Sequence, residues 1–433
     1  MDSTAKHDGK VLAGLVLTFV AFASIIPDIG FRITTMGFVW TLYRFVIPVS
    51  LVFAFVLCQG KSLVKKSSMS FCMTMLMGFW VVYGIALLLI SNYSDRHAGF
   101  IELLALANGF FVFVIIGMIG ISEDGFKKIS QVIVFSLNAL LLMAFFEIIT
   151  AKHLPTSFFY DTKANAYNGI SPHAATGFLY NVNDFSAMIT CLFPVVLVCW
   201  KSKLRWISIA ALMAVNFIND ATACNLAIIA CLMFYFITND KIGQGRRFIR
   251  KGLVIAAALA GAFIVLFGQS FLGNRNDILG SLSRQVTNLK NSNGSLWKRV
   301  TIYKDSFSGF INSKCIGNGP SSFATYFAKH PSASHLVNPH ALLVEILFEY
   351  GIIIFVWYVG MIIMIFKKAL HCYNCDDNRE NKKQFMMIMM IIIVYVIVGF
   401  APSAFLGYAY QWLILALCCI RLDITKNRRI EYA

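Results

Sequence analysis

Apolar stretches long enough to cross a membrane recur along almost the whole chain, and they constrain its fold more than any other feature. Of the 433 residues, 58% are hydrophobic and only 13% are charged, which excludes an ordinary soluble domain. A helix of about 20 apolar residues spans the bilayer core and satisfies its own backbone hydrogen bonds there. The sequence therefore predicts an all-α polytopic membrane protein.

About twelve transmembrane helices are predicted from these stretches. The first follows a short leader without a small-residue cleavage site, so we expect a retained helix rather than a removed signal peptide. The expected spans are 11–28, 35–58, 69–91, 99–121, 129–150, 184–200, 206–219, 222–238, 252–272, 341–366, 385–403 and 405–420.

Two expected outer connections are long, at 151–183 and at 273–340, and loops of this length usually carry function. The chain then divides into three parts. Helices one to nine fall within 1–272, a large extracytoplasmic loop occupies 273–340, and helices ten to twelve with a cytoplasmic tail fall within 341–433.

The net charge of +16 would suggest a nucleic-acid partner in a soluble protein, but the basic residues follow membrane topology instead. With the N-terminus inside, about two thirds of all Lys and Arg fall in the inner connections, as the positive-inside rule requires. An even number of helices then places both chain ends in the cytoplasm. We therefore expect membrane lipid, and no nucleic acid, among the partners.

Metal binding is disfavoured by the spacing of the potential ligands. Most of the eleven cysteines fall in apolar spans, where they behave as small hydrophobic residues, and no disulfide framework can be inferred. Cys372 and Cys375 form a CxxC pair without two further ligands at zinc-site spacing. His330, His335 and His340 follow one another at five-residue intervals, which does not place them on one helical face. No metal or cofactor is expected.

The large outer loop has the pattern of a folded segment. Residues 296–310 interleave apolar and aromatic side chains with polar ones, which predicts an amphipathic helix. The Gly-Asn-Gly-Pro sequence at 317–320 predicts a turn, because glycine supplies positive φ and proline stops a helix. The loop also carries an anion-attracting set of basic residues, which could equally be a solvated surface touching lipid headgroups: Arg275, Arg284, Lys290, Lys298, Arg299, Lys304, Lys314 and Lys329.

Arg299 and His340 are the two residues of this loop with a chemical role to offer. Arg299 lies on the amphipathic helix, and its planar guanidinium matches the oxygens of a phosphate or diphosphate. Near a membrane, a natural diphosphate ligand is a polyprenyl pyrophosphate that carries a sugar chain. His340 immediately precedes an apolar helix and has the ordinary pKa of a general base for a sugar hydroxyl. The alternative for His340 is a structural role at the start of that helix.

Three further positions are polar where the surrounding sequence is not. Asn183 or Asp184 could cap the sixth helix, or could bind sugar hydroxyls beside His340. Arg44 falls in the middle of the span predicted at 35–58, where a charge is costly, so we expect it to face a protein interior or a wet cavity. Asp220 marks an outer turn that could face the same cavity.

Four short motifs, together with the twelve-helix pattern and the large loop before helix ten, resemble the O-antigen ligase and polymerase superfamily, which also contains teichuronic-acid and exopolysaccharide polymerases. The motifs are Arg299 with Asp305 and Phe307, Gly-Asn-Gly-Pro at 317–320 with Phe323, Pro339-His340 ahead of Leu343, Glu345 and Glu349-Tyr350-Gly351, and Asn183-Asp184-Phe185.

The resemblance implies a GT-C-type fold and an inverting, metal-independent glycosyltransferase. It implies that His340 acts on the acceptor hydroxyl and that Arg299 engages the lipid diphosphate. Two departures stand out. The family's asparagine after the histidine is Ala341 here, and the family's Ser-Arg pair at the outer end of helix eight is missing from 220–225. A second cation would then come from Arg275, Arg284 or Lys298.

The expected function is polymerisation of polysaccharide repeat units linked to undecaprenyl pyrophosphate, at the outer face of the bacterial cytoplasmic membrane. A chain-length regulator and a flippase are possible partners. The alternatives are an O-antigen ligase, which transfers the polymer to lipid A-core, and, in another class, a lipid-oligosaccharide flippase. With His340 and Arg299 as catalytic residues, the expected substrate-binding residues are Arg44, Asn183, Asp184, Arg284, Lys298, Tyr303 and Glu345.

Overall fold

The structure is a computed structural model, and the part of it described here is almost wholly helical. It comprises residues 3–27, 33–35, 38–58, 68–119, 121–160, 170–239, 295–336, 338–400, 402 and 405–431. The helix predicted at 252–272, and with it Arg275 and Arg284, lies outside these residues.

The described helices are labelled in chain order. They are α1 (Ser3–Ile25), α2 (Leu42–Leu57), α3 (Met69–Ile90), α4 (Arg96–Ile119), α5 (Glu123–Thr150), α6 (Val182–Cys199), α7 (Arg205–Ile218), α8 (Thr222–Thr238), α9 (Ser295–Asn312), α10 (Phe323–Lys329), α11 (Leu342–Cys375), α12 (Arg379–Val398) and α13 (Ala409–Glu431). Two strands, β1 (Ile33–Thr35) and β2 (Phe38–Trp40), precede α2, and short 3-10 turns cover Phe158–Tyr160 and Phe405–Gly407.

Within the described residues, six helices are long and apolar enough to cross a membrane: α3, α4, α5, α6, α11 and α12. Large apolar side chains also cover the outside of the bundle. Leu142 and Ile149 on α5, for example, are 74% and 75% exposed. Such a surface is stable only against lipid, since water would drive it to associate. The prediction of an all-helical membrane protein is confirmed at this level.

The span predicted at 35–58 is wrong in its first part. The chain forms an antiparallel strand pair, with Ile33 opposite Trp40, before the helix begins at Leu42. The strand residues are mostly β-branched or aromatic, which favours extended backbone. Thr41 caps α2 by accepting a hydrogen bond from the Arg44 backbone N–H at 3.3 Å. Arg44 therefore lies in the first turn of the helix and not in the middle of a span.

Helices α6 and α13 form the centre of the bundle. Helix α6 is buried on every face, and so is the Tyr410–Ile420 part of α13. Around them, α11 packs against α3 and α12, and α9 packs against the start of α11. We call the end of the bundle at which α11 begins the His340 end. The opposite end, where α12 begins, is called the Arg421 end.

At the Arg421 end, a buried guanidinium connects three helices. Arg421 on α13 is 1% exposed. It donates to Asn381 at 2.7 Å, to Thr425 at 3.0 Å and to Gln384, and it lies 3.8 Å from a carboxylate oxygen of Glu123. The guanidinium also lies over the aromatic rings of Phe126 and Phe385. These contacts hold the first turns of α5 and α12 against α13.

Candidate functional site

Helix α11 is broken about two and a half turns after it begins, and the break defines the site. Gly351 has φ 73° and ψ −173°, which no other residue type adopts at low cost, so the helix is interrupted after Tyr350. A Cβ at Gly351 would lie 2.4 Å from the carbonyl group of Ile316. The first part of α11, residues 342–350, is consequently a short helix of its own, and we call it the half-helix.

The turn at 315–322 supplies the hydrogen bonds that the break removes. The backbone N–H groups of Asn318 and Gly319 donate to the carbonyls of Phe348 and Glu349 at 2.9 and 2.8 Å. In return, the Ile352 N–H donates to the Cys315 carbonyl at 3.0 Å. Irregular backbone at membrane depth is stable only when such partners are present. The glycine-rich turn predicted from the sequence is confirmed, and its role is to complete the broken helix.

Helix α9 is held against the half-helix by a separate apolar cluster. Its members are Ile302, Phe323, Tyr326, Phe327 and Phe348, with Tyr93, Tyr303, Leu336 and Val344 packed around them. The close approach needs a glycine, because a Cβ at Gly309 would lie 2.6 Å from the Phe348 ring. The amphipathic helix predicted at 296–310 is confirmed, and its apolar face fixes the position of the basic residues at its start.

Arg299 lies at the meeting point of α9, α11 and α12. Its Nη1 donates to the backbone carbonyl of Phe400, just after the end of α12. Its guanidinium also hydrogen-bonds the phenol of Tyr303, one turn further along α9. Burial raises the pKa of Tyr303, and the Arg299 charge opposes that rise. A guanidinium has five N–H donors, and these two partners within the described residues leave several of them for a ligand.

His340 is held in a strained backbone conformation directly before the half-helix. Its φ is +49°, in the left-handed region, and its N–H donates to the Asn338 side chain at 2.9 Å. Two residues later, the Leu342 N–H donates to the Gly399 carbonyl at 2.9 Å and so joins the start of α11 to the end of α12. Strain of this kind persists where the surrounding structure enforces it, often at functional sites.

The His340 imidazole is partly buried and close enough to Arg299 to sense its charge. Burial is the larger cause and the Arg299 charge the second, and together they lower the pKa of His340 from 6.5 to about 4. The imidazole is therefore neutral at physiological pH and can accept a proton. Its Nδ1 is buried and has no hydrogen-bond partner among the described residues. The structure thus brings together the two residues for which catalytic roles were expected, and Tyr303 with them.

An apolar groove between α11 and α12 begins beside these residues. Its cavity is about 180 Å³ and its walls are almost entirely hydrocarbon. At its mouth lie Phe400, whose carbonyl accepts from Arg299, and Leu342, two residues after His340. Deeper along the helices lie Tyr358, Ile362 and Tyr395. The groove is open on the outer surface of the bundle, since Ile363 and Val396 on its walls are 49% and 43% exposed. No pattern in the sequence marks this groove.

Carboxyl groups meet on the inner face of the half-helix. Glu349 is 2% exposed and accepts the Ser322 N–H at 3.0 Å, while Glu102 of α4 accepts from the Tyr350 hydroxyl and from the Ser321 N–H. The two carboxyl groups are neighbours, and a buried pair of this kind is stable when it shares a proton. They hold the end of the glycine-rich turn in place.

Of the carboxyl residues in this region, Glu345 was expected in the site and Glu102 was not. Glu345, expected to bind substrate, is 8% exposed and faces this buried group rather than the groove. Glu102 was not among the expected site residues, although a carboxylate inside an apolar span marks a candidate functional position.

The Asn183 and Asp184 pair lies in the first turn of α6. The cap of α6 is Asn181, which accepts the Asn183 N–H at 2.8 Å, so the prediction that Asn183 or Asp184 is the cap was wrong. Asp184 is instead 1% exposed and accepts a hydrogen bond from the Tyr408 hydroxyl. Residue 182 is the first helical position, which leaves Asp184 turned into the bundle. Asn183 is partly buried at the surface of the same turn.

Of the remaining expected residues, Lys298 is partly buried on α9 next to Arg299. Arg44 belongs to the first turn of α2. Within the described residues, no group of three His, Cys, Asp or Glu side chains could hold a metal ion. No protein-family model and no curated protein matches the chain.

Proposed function

We propose that this protein is a glycosyltransferase that polymerises polysaccharide repeat units linked to a polyprenyl pyrophosphate. One observation carries the proposal. Arg299 binds the backbone at the mouth of an apolar groove, and His340 lies beside it with a neutral imidazole. A lipid diphosphate has the same two parts, an apolar chain and an anionic head, in the same order.

The donor would lie with its polyprenyl chain along the groove and its diphosphate at Arg299. The start of the half-helix adds to the attraction, because a helix N-terminus carries partial positive charge and favours anions. Ala341 at this terminus provides no side-chain hydrogen bond to the helix. The Leu342 N–H is bonded to the Gly399 carbonyl, so the backbone N–H groups of Leu343 and Val344 would be the ones offered to a ligand.

Catalysis would follow from the pairing of base and cation. The acceptor hydroxyl gives its proton to the His340 imidazole as its oxygen forms a bond to the anomeric carbon. The bond between that carbon and the pyrophosphate oxygen breaks, and its electron pair leaves with the polyprenyl pyrophosphate, whose charge Arg299 stabilises. Attack from the side opposite to the leaving group inverts the anomeric centre.

The donor also tunes the base. Arg299 lowers the pKa of His340 in the free protein. A bound diphosphate offsets that positive charge, so the imidazole becomes a stronger base once the donor is in place. Proton removal is in this way favoured once the donor is bound.

The proposal extends to features beyond the described helices. It includes about twelve transmembrane spans in a GT-C-type arrangement, with the site at the outer face of the bacterial cytoplasmic membrane. Undecaprenyl-pyrophosphate-linked oligosaccharide is the proposed substrate, and a chain-length regulator and a flippase are proposed partners. A polymerase is favoured over a ligase by the Asn-Val-Asn-Asp-Phe sequence at 181–185, which resembles polymerase members of the superfamily.

The test uses two histidines of the same loop. His340 and His335 both have a left-handed backbone, with φ of 49° and 56°, and asparagine tolerates that conformation. Purified His340→Asn should lose release of polyprenyl pyrophosphate from lipid-linked repeat units by about 10²-fold or more. His335→Asn, which removes an exposed imidazole, should retain it. Equal activity of the two variants would exclude His340 as the base.

The same assay separates the alternatives. A polymerase releases polyprenyl pyrophosphate with lipid-linked repeats as the only substrate, whereas a ligase requires added lipid A-core. A flippase has no transport task in detergent micelles and releases none under either condition. Absence of release with both substrates, from protein that remains folded, would reject the transferase proposal.

A further inference from the structure

A second cavity lies at the Arg421 end, on the opposite side of the membrane region from the candidate site. It measures about 410 Å³ and is formed by the ends of α6, α7, α8 and α12. Trp206 lies in the first turn of α7, Tyr235 in the last turn of α8 and Lys383 near the start of α12. Because only helix ends contribute, the cavity lies at the depth of the lipid headgroups.

The charged residues of this cavity are mostly cationic. Lys201, Arg205 and Lys383 line it together with one carboxylate, Glu380. The carboxylate lies 3.4 Å from the ammonium of Lys201 and 3.4 Å from that of Lys383, so it cannot neutralise all three cations. Two positive charges remain in excess, which favours an anionic ligand.

Arg205 gives the cavity a fixed cation. Its Nη1 donates to the Leu197 carbonyl at 3.1 Å, and its guanidinium lies 5.4 Å from the centre of the Trp206 ring. Its Nε is buried and has no hydrogen-bond partner among the described residues. Lys201 is the more adjustable of the two lysines, since its side chain is 78% exposed and that of Lys383 is 30% exposed. A rigid guanidinium with adjustable ammonium groups suits a phosphate.

We propose that this cavity binds the phosphate of an anionic phospholipid from the leaflet at the Arg421 end. Leu197, Val198 and Met386 form an apolar wall beside the cations, and Trp206 is 38% exposed. The acyl chains of a phospholipid can pack along that wall, whereas inorganic phosphate has no apolar part to contact it. Basic pockets between transmembrane helices bind anionic headgroups in this way, and exposed tryptophan is common at the membrane interface.

The experiment is native mass spectrometry of the full-length protein in detergent, with phosphatidylglycerol or phosphatidylethanolamine added. Phosphatidylglycerol should bind more tightly, because its headgroup has no ammonium to oppose the excess positive charge. Lys201→Gln and Lys383→Gln should each weaken its binding by about fivefold, and Glu380→Gln should strengthen it by a similar factor. Lys203→Gln, an exposed charge that does not line the cavity, should leave binding unchanged.

Three outcomes would overturn the proposal. Equal binding of the two lipids would remove the anion preference. Equal effects of the Lys203 and Lys383 variants would indicate nonspecific attraction, and displacement of phosphatidylglycerol by millimolar inorganic phosphate would indicate a free-phosphate site. Arg205 is left unchanged because its bond to Leu197 supports the end of α6. Thermal denaturation of each variant checks that the fold is retained, and none of these results depends on the glycosyltransferase proposal.

Discussion

Two arginines at opposite ends of the bundle show how differently one side chain is used. Arg421 is 1% exposed and is surrounded by side chains from three helices. Arg299 is partly exposed, is bonded to one carbonyl and one phenol among the described residues, and lies beside a base and an apolar groove. A guanidinium whose donors are occupied by the protein is a structural connection. One with donors left at the mouth of a cavity is available to a ligand.

The sharpest way to break this comparison is to change both arginines to glutamine. Arg299→Gln should lower the turnover rate by about 10²- to 10³-fold, since it removes preorganised charge from the leaving group. The melting temperature should change little. Arg421→Gln should show the reverse pattern, because it removes a buried, hydrogen-bonded charge. It should lower the free energy of unfolding by about 1.5–3 kcal/mol and change the turnover per folded molecule little.

Assays of polyprenyl pyrophosphate release and thermal denaturation in detergent, run on both proteins, measure the difference. Lys304→Gln, which removes an exposed cation from the same helix, is the matched control for charge on α9 and should retain activity. If Arg299→Gln unfolds the protein and Arg421→Gln only slows turnover, the distinction between the two sites is wrong.

The helix break provides the next largest expected effect. Gly351→Ala should destabilise the protein by roughly 1–3 kcal/mol from backbone strain alone, with a further cost because the Cβ meets the Ile316 carbonyl group. Gly360→Ala is the control, since a Cβ there meets nothing within 4 Å and the helix is regular. Its stability should be equal to or above that of the native protein. Similar melting temperatures for both variants would refute the role given to Gly351.

The carboxyl pair at the half-helix gives a smaller, more selective effect. Glu349→Ala leaves the Ser322 N–H without its acceptor and should cost about 1–2 kcal/mol. Glu349→Gln keeps an acceptor for that N–H and a donor toward Glu102, so it should restore most of the loss. Thermal denaturation separates the two variants. A glutamine variant as unstable as the alanine variant would show that the shared proton is not what the pair requires.

The finest test concerns pH. The acid limb of kcat/KM reports the base in the free protein, so activity should be half-lost near pH 4 rather than near 6.5. Arg299→Gln removes a charge that opposes imidazolium formation, and its acid limb should therefore move to higher pH. Arg299→Lys keeps the charge and should leave the limb near its native position. A limb that is the same in all three proteins would mean that another group limits the rate.

Much of the candidate site follows from local sequence. The apolar pattern of 296–310 and the glycines at 317 and 319 predict a helix and a turn, and both form. Both features are determined by residues close together in sequence, so a single sequence is enough to predict them. His340 was recognised for the same reason, as a titratable residue directly before an apolar helix.

The features that escaped prediction depend on partners far apart in sequence. The groove needs α11 and α12 side by side, and the Arg299 contact needs a backbone carbonyl at Phe400, which no sequence pattern marks. The break at Gly351 is invisible in hydropathy because apolar residues continue on both sides. Glu102 carried a usable signal, as a carboxylate inside an apolar span.

The insertion of the 315–322 turn into the interrupted helix has a consequence for engineering. Loop and membrane helix share one set of backbone hydrogen bonds, so neither can be exchanged without the other. A chimera with an exchanged loop would have to transplant residues 295–352 as one unit, together with Glu102 of α4, which accepts the Ser321 N–H of the turn. Swapping the loop alone would leave open carbonyls in the lipid and a protein that fails to assemble.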